Sequence, residues 1–184
     1  MNSPALLITV VVAVVAAGCS GQPPFPSLKP SPATLPAPVP TAASAKPRSD
    51  ADPVAASITS LPRNVRAGDT FDVCVVLNVG AFYEIYPLDA PPPAVPTRLE
   101  LSLPPSFQAL GPWSAPTTTR SERAGAHRAY AGEAKFTRTI RIAPGVMPGV
   151  YDLTCSIRYQ ACSERLCLAP ASFPLLATVV VQPP

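Results

Sequence analysis

The proline content of this chain argues against a helical protein. The 184 residues include 27 prolines. Each one inside a helix would remove a hydrogen-bond donor and press its ring against the preceding turn. Strands, turns and extended segments are what remain. The length suits one ordinary domain. Charged residues make up 14% of the chain and its net charge is +3, and the lysines and arginines are scattered. They build no cationic stripe, so the chain carries no electrostatic footprint for nucleic acid.

Residues 5–17 are apolar apart from Thr9. The run is too short to cross a bilayer comfortably, which takes about 20 residues. It suits the hydrophobic part of a secretory signal. It ends in Val15-Ala16-Ala17-Gly18-Cys19, which resembles a bacterial lipobox, with small residues where a peptidase must approach the backbone. Residues 1–18 are therefore expected to be a lipoprotein signal peptide and Cys19 the lipidated residue. A plain secretory signal is the alternative, because residues 1–4 hold no Lys or Arg. Residues 19–52 read as a disordered tether. Nine prolines lie between positions 20 and 52, separated mostly by Ala, Ser and Thr. Such a chain stays extended and solvated. In polyproline II geometry it reaches up to about 90 Å. Ser20, next to the cysteine, points to the outer rather than the inner membrane by analogy with known sorting.

From residue 53 to residue 184 the pattern changes to alternation with a period of two. Phe71, Val73, Val75, Leu77 and Val79 share one parity, with Asp72 and Asn78 on the other. Tyr151, Leu153, Cys155, Ile157, Tyr159 and Ala161 alternate with Asp152, Thr154, Ser156, Arg158 and Gln160. Both segments read as half-buried strands. Further strands are expected at residues 57–61, 82–86, 98–103, 135–142 and 175–181, divided by Gly- and Pro-rich turns. Seven or so short strands predict an all-β, immunoglobulin-like β-sandwich. Trp113 and Phe107 are expected to help fill its core.

Export places the cysteines in a compartment where disulfides persist. Besides Cys19 there are four: Cys74, Cys155, Cys162 and Cys167. Four cysteines allow three pairings. Cys162 and Cys167 enclose Ser163-Glu164-Arg165-Leu166 at the end of a strand, with Pro170 just beyond, so this pair belongs to a hairpin-like loop. A disulfide closing so short a loop stabilises by roughly 2 kcal/mol. Exposed short-loop bonds are also the more reducible ones. Cys74 and Cys155 are candidates for a structural disulfide between the sheets. Parity favours that bond, whereas alternation puts Cys74 on the polar face of its strand unless a bulge reverses it. No metal site is expected, since His127 is the single histidine and soft-metal capture would rest on two thiols alone. His127 sits among Arg, Ala and Gly and reads as a surface residue. No cofactor motif and no hydrolase elbow occurs.

The stretch Ile157-Arg158-Tyr159-Gln160-Ala161-Cys162, followed by Cys167-Leu168-Ala169-Pro170, resembles the end of the N-terminal periplasmic domain of DsbD-type thiol:disulfide interchange proteins. Three looser stretches run in the same order. They are Phe82-Tyr83-Glu84-Ile85-Tyr86, Leu101-Ser102-Leu103-Pro104-Pro105-Ser106-Phe107 and Tyr130-Ala131-Gly132-Glu133. Together they cover roughly residues 55–181. The resemblance implies a redox-active pair, with Cys167 forming mixed disulfides and Cys162 resolving them. It implies thioredoxin-like or other thiol–disulfide envelope proteins as partners. It makes Tyr130 the aromatic cap over the sulfurs. Tyr86 and Glu84 join it as capping or proton-handling candidates, Glu84 standing where the family often has an aromatic residue or histidine. Arg158 and Arg165 could favour a thiolate by their charge. Family members in the full reductase continue into a membrane electron-transfer domain. This chain stops at Pro184, so its electrons are expected to come from another protein.

Two functions are open at this point. One is a membrane-tethered thiol–disulfide exchange protein, an oxidoreductase-like activity that depends on a partner electron source. The other is a non-catalytic lipoprotein binding module whose cysteines only staple a loop.

Overall fold

The computed structural model describes residues 45–47, 49, 51–121 and 127–184. The segment read as a signal peptide, Cys19 and most of the segment read as a tether lie outside them. The described residues form strands, turns and loops, with no helix among them.

Thirteen strands run through the described residues in chain order. They are β1 (Ala45–Lys46), β2 (Val54–Leu61), β3 (Asn64–Arg66), β4 (Thr70–Val79), β5 (Glu84–Ile85), β6 (Arg98–Ser102) and β7 (Phe107–Ser114), then β8 (Thr119–Arg120), β9 (Arg128–Ala129), β10 (Glu133–Ile142), β11 (Gly149–Tyr159), β12 (Ala161–Cys162) and β13 (Ala171–Gln182). One sheet has the order β1-β2-β4-β10-β7, the other β3-β13-β11-β6. All pairings are antiparallel except β13 with β3. Two-stranded ribbons, β12-β5 and β8-β9, complete the set. This is the all-β sandwich that the alternation predicts.

The core lies between the two sheets because each strand sends every second side chain inward. β4 contributes Phe71, Val73, Val75, Leu77 and Val79, and β11 contributes Leu153, Cys155, Ile157 and Tyr159. β10 adds Ala134, Phe136, Ile140 and Ile142, and β13 adds Leu175, Ala177, Val179 and Val181. Phe107 is buried as expected, and Trp113 packs against the core with its indole N–H donating to the Leu99 carbonyl at 3.0 Å. β7 is a strand that the sequence reading does not anticipate. It carries Gly111 and Pro112, which read as turn residues, and its register against β10 shifts between Thr137 and Thr139. A sheet edge tolerates such residues because one side of the strand needs no partner.

Cys74 and Cys155 are free and buried, so the bond that parity favours is not formed. The pairing of β4 runs without interruption through Cys74, which faces Thr59 on one side and Thr137 on the other. No bulge turns its side chain around. Cys74 therefore points away from the core that Cys155 helps to fill.

The described part of the first sheet begins at Ala45, inside the segment read as tether. Lys46 holds it there. Its ammonium donates to Asp52 Oδ2 at 2.7 Å, to the Val54 carbonyl at 2.7 Å and to the Tyr159 hydroxyl at 3.2 Å. It also lies 4.9 Å from the centre of the Phe173 ring. The Tyr159 hydroxyl donates in turn to the Asp52 carboxylate at 2.6 Å. The cluster ties the edge of one sheet to β11 and β13 of the other. Partial burial works to raise the Asp52 pKa, but hydrogen bonds from Lys46, Tyr159 and the Val54 amide outweigh it and lower the value. Burial first, then the Asp52 carboxylate, keep the Tyr159 hydroxyl protonated well above its ordinary range.

A carboxylate with a lowered folded pKa contributes stability above its unfolded value near ~4, and that contribution is lost as pH falls through the folded value. Asp52→Asn is therefore expected to lower the unfolding free energy by about 1 kcal/mol at neutral pH, the size left to a charged cluster partly screened by solvent. In urea titrations the gap to the parent protein should close in strong acid.

Candidate functional site

The site grows from the end of β11. After Tyr159 the chain leaves the sheet and enters the short strand β12, which pairs with β5 in the register Ala161 to Ile85 and Cys162 to Glu84. A tight reversal sets β5 in place. The Tyr83 amide donates to the Gly80 carbonyl at 3.1 Å, and Phe82, 80% exposed, takes a φ of 68° to make the turn. On its other side β5 is held by Tyr130, with Ile85 and Tyr130 exchanging backbone hydrogen bonds of 2.9 and 2.8 Å.

Cys162 and Cys167 are disulfide-bonded, with an S–S distance of 2.08 Å and Cα atoms 4.0 Å apart. The bond crosses a hairpin. The Ser163 amide donates to the Leu166 carbonyl at 2.8 Å and the Leu168 amide to the Ala161 carbonyl at 2.9 Å. Those two bonds flank the cysteines and leave them as a non-hydrogen-bonded pair, the position where facing strands approach most closely. Ser163 Oγ, which accepts from the Arg165 and Leu166 amides at 3.3 Å, shapes the tip. The two cysteines differ in access: Cys162 is 4% exposed and Cys167 is exposed.

Four further side chains, Glu84, Tyr86, Ser121 and His127, meet on the Cys162 side. Residues facing each other across paired strands, and residues two apart on one strand, share a face. Glu84, Tyr86 and Cys162 satisfy both relations. The Tyr86 hydroxyl lies 3.8 Å from Cys162 Sγ. It is the donor of that contact, because a bonded sulfur carries no proton. Thr97 steadies Tyr86 by donating from its hydroxyl to the Tyr86 carbonyl at 2.6 Å. Glu84 is 6% exposed and its Oε1 accepts from the Ser121 hydroxyl at 2.9 Å. His127 Nε2 sits 2.8 Å from the same oxygen, and its ring packs against the Tyr86 ring with centroids 5.1 Å apart. Tyr86 and His127 also line a cavity of about 300 Å³ walled by Pro91, Pro92 and Pro93.

Two expectations are corrected by this geometry. Tyr130, read as the cap over the sulfurs, is 4% exposed and turned into the core, edge-on to Phe136 with centroids 5.3 Å apart. Burial raises the pKa of its hydroxyl. Its backbone, rather than its ring, serves the site. His127, read as a surface residue, is brought to Glu84 by the β8-β9 ribbon, which the Ser121 amide extends by donating to the His127 carbonyl at 2.8 Å. A lone histidine among Arg, Ala and Gly offers no local signal for that placement. Arg128 pairs with Asp89 and Arg165 lies at the exposed hairpin tip. Arg158 is exposed, on the outward face of β11.

No family model matches the chain, and no curated protein does. Among solved structures, the N-terminal periplasmic domain of ScsB from Proteus mirabilis is similar over 72% of this chain and 49% of that one, with a TM-score of 0.50 and 13% identity. The chain thus spans about half the length of that structure. The N-terminal domain of DsbD from Neisseria meningitidis, in its reduced form, is similar over 64% of this chain and 85% of that one, with a TM-score of 0.38 and 18% identity. A family 123 glycoside hydrolase from Clostridium perfringens matches over 64% of this chain and 22% of its own, at a TM-score of 0.35 and 14% identity. The similarity to the ScsB domain is one of fold.

The cysteines divide into two chemical kinds. Burial pushes the Cys155 thiol up to about 12, so it is inert to thiol reagents in the folded state. Unfolding the unreduced domain, residues 53–184, should release two reactive thiols, from Cys74 and Cys155. A colorimetric thiol assay in denaturant checks this, and a count of zero would mean that those two are bonded after all.

Proposed function

We propose that this chain is a thiol–disulfide exchange protein of the bacterial envelope, working through the reversible bond between Cys162 and Cys167. The observation that carries the reading is the unequal access of the two cysteines. An exposed Cys167 can be reached by a partner, and a buried Cys162 beside Tyr86 is protected from side reactions until the bond opens. The short cross-strand loop around the bond suits exchange more than scaffolding, because closing so few residues stabilises little. The fold shared with the periplasmic ScsB domain is in keeping with this chemistry.

In the reducing direction, a Cys167 thiolate attacks a partner disulfide and expels one partner thiolate. Cys162 then loses its proton and attacks Cys167 in the mixed disulfide. The second partner thiolate leaves, and the pair is oxidised as the partner is reduced. Recharging runs the same steps backwards with a thioredoxin-like donor. Lipid on Cys19 and the Pro-rich segment after it would hold the domain off a membrane, facing the periplasm, and Ser20 favours the outer membrane as the place of that anchor.

Cys162→Ser leaves Cys167 without its resolving partner. That variant is expected to accumulate mixed disulfides with envelope proteins, seen as adducts on non-reducing gels that vanish with reductant. Cys167→Ser should trap none. If the parent bond resists physiological reductants and Cys162→Ser yields no adduct, the cysteines are a staple and the chain is a binding module. Cys19→Ser should move the protein from the membrane fraction to the soluble envelope fraction, and continued membrane association would contradict the anchor.

A further inference from the structure

The proposed exchange chemistry leaves one cluster unused. Glu84 is a nearly buried carboxylate directly opposite Cys162. His127 Nε2 is shielded from solvent and has no aligned hydrogen-bond acceptor, yet lies 2.8 Å from Glu84 Oε1. A buried polar atom left without a directed bond calls for an explanation. Charge supplies one. Histidine is the side chain whose charge changes across the neutral range, and a carboxylate is the group that most favours its charged form.

We propose that Glu84 and His127 act as positioning residues that set how readily Cys162 leaves when its bond to Cys167 opens. The inference rests on the exchange reading above. The step balances simply. An incoming thiolate attacks Sγ of Cys167, the bond between the two sulfurs breaks, and its electron pair stays on Cys162, which departs as a thiolate and later takes a proton from water. With His127 charged, Glu84 is neutralised and the new thiolate forms beside a pair of no net charge. With His127 neutral, the thiolate forms beside a bare buried carboxylate, and like charges repel strongly where water is excluded. The Tyr86 hydroxyl, 3.8 Å from that sulfur, donates to the thiolate in both states, with the His127 ring packed on its ring.

The other charged groups do not compete for this role. Asp89 is tied to Arg128, whose hydrogen bond holds its carboxyl below the ordinary range, so that pair stays ionised and constant. Glu164 and Arg165 are exposed at the hairpin tip, where solvent screens them. Ser121 binds Glu84 without titrating.

The experiment measures the opening of the bond by a small monothiol, with rates divided by the reagent's thiolate fraction at each pH. The parent protein is expected to slow roughly three- to tenfold between about pH 5.5 and pH 8, the size given when a neighbouring charge shifts a thiol by about one to two pKa units and the logarithm of the exchange rate changes by about half of that. Glu84→Gln should abolish the dependence and hold the rate at the fast level. His127→Gln should abolish it too, and hold the rate at the slow level. Circular dichroism establishes that both variants fold. A histidine and glutamate with a merely structural role would alter the rate without flattening the profile. A parent profile that is already flat, or variants that keep the parent's slope, would overturn the inference while leaving the exchange function standing. A bond that the thiol cannot open at any pH would overturn the function as well.

Discussion

The pairing of β11 on both of its edges governs where everything else in this molecule sits. With β13 on one side and β6 on the other, the strand cannot slip by one residue without sending Leu153, Cys155, Ile157 and Tyr159 into water and Asp152, Ser156 and Arg158 into the core. A one-residue slip of that kind is costly wherever one face is buried. The end of β11 is thereby set to within a residue. Cys162 lies three positions past Tyr159, whose hydroxyl is held by Asp52 and Lys46 from the opposite sheet. The site thus stands on a strand end braced from both layers.

Beyond β11 a second, smaller system of pairings lies beside the sandwich. The Cys167 segment pairs with β12, β12 with β5, and β5 with Tyr130, which continues the β8-β9 ribbon. Each link is only one or two residues long. Backbone groups shielded from water need hydrogen-bond partners, and here short segments satisfy one another rather than joining a main sheet. The arrangement brings together side chains from three distant parts of the chain: Glu84 and Tyr86, Ser121 and His127, and Cys162. It places the disulfide where one cysteine is exposed and the other lies beside a phenol, opposite Glu84 on the paired strand.

The sandwich was legible in the sequence because its strands alternate cleanly. The 70–79 segment has the extent predicted, and β11 differs only at its ends. Short or irregular strands were not legible. β7 interrupts its pattern with Gly111 and Pro112, and β3, β8 and β9 are too short to show a period. The cysteine pair was legible as a loop-closing unit from spacing. The fate of Cys74 could be argued but not decided, since a single bulge would have reversed it. The roles of Tyr130 and His127 were misread for one reason. Both depend on which short segment pairs with β5, and pairing between segments some 45 residues apart leaves no local mark.

By itself the sequence determined the all-β class, the inward faces of the long strands and the closeness of Cys162 to Cys167. Those properties are set by proline content, by period-two patterning and by short separation along the chain, all of them local. Only the tertiary structure decided that Cys162 is buried and Cys167 exposed, that Cys74 points away from the core that Cys155 helps to fill, that Tyr130 lends its backbone while Tyr86 lends its hydroxyl, and that the one histidine rests against Glu84. These depend on strand register and on pairings between remote segments, where each contact gains its value from the burial of the whole.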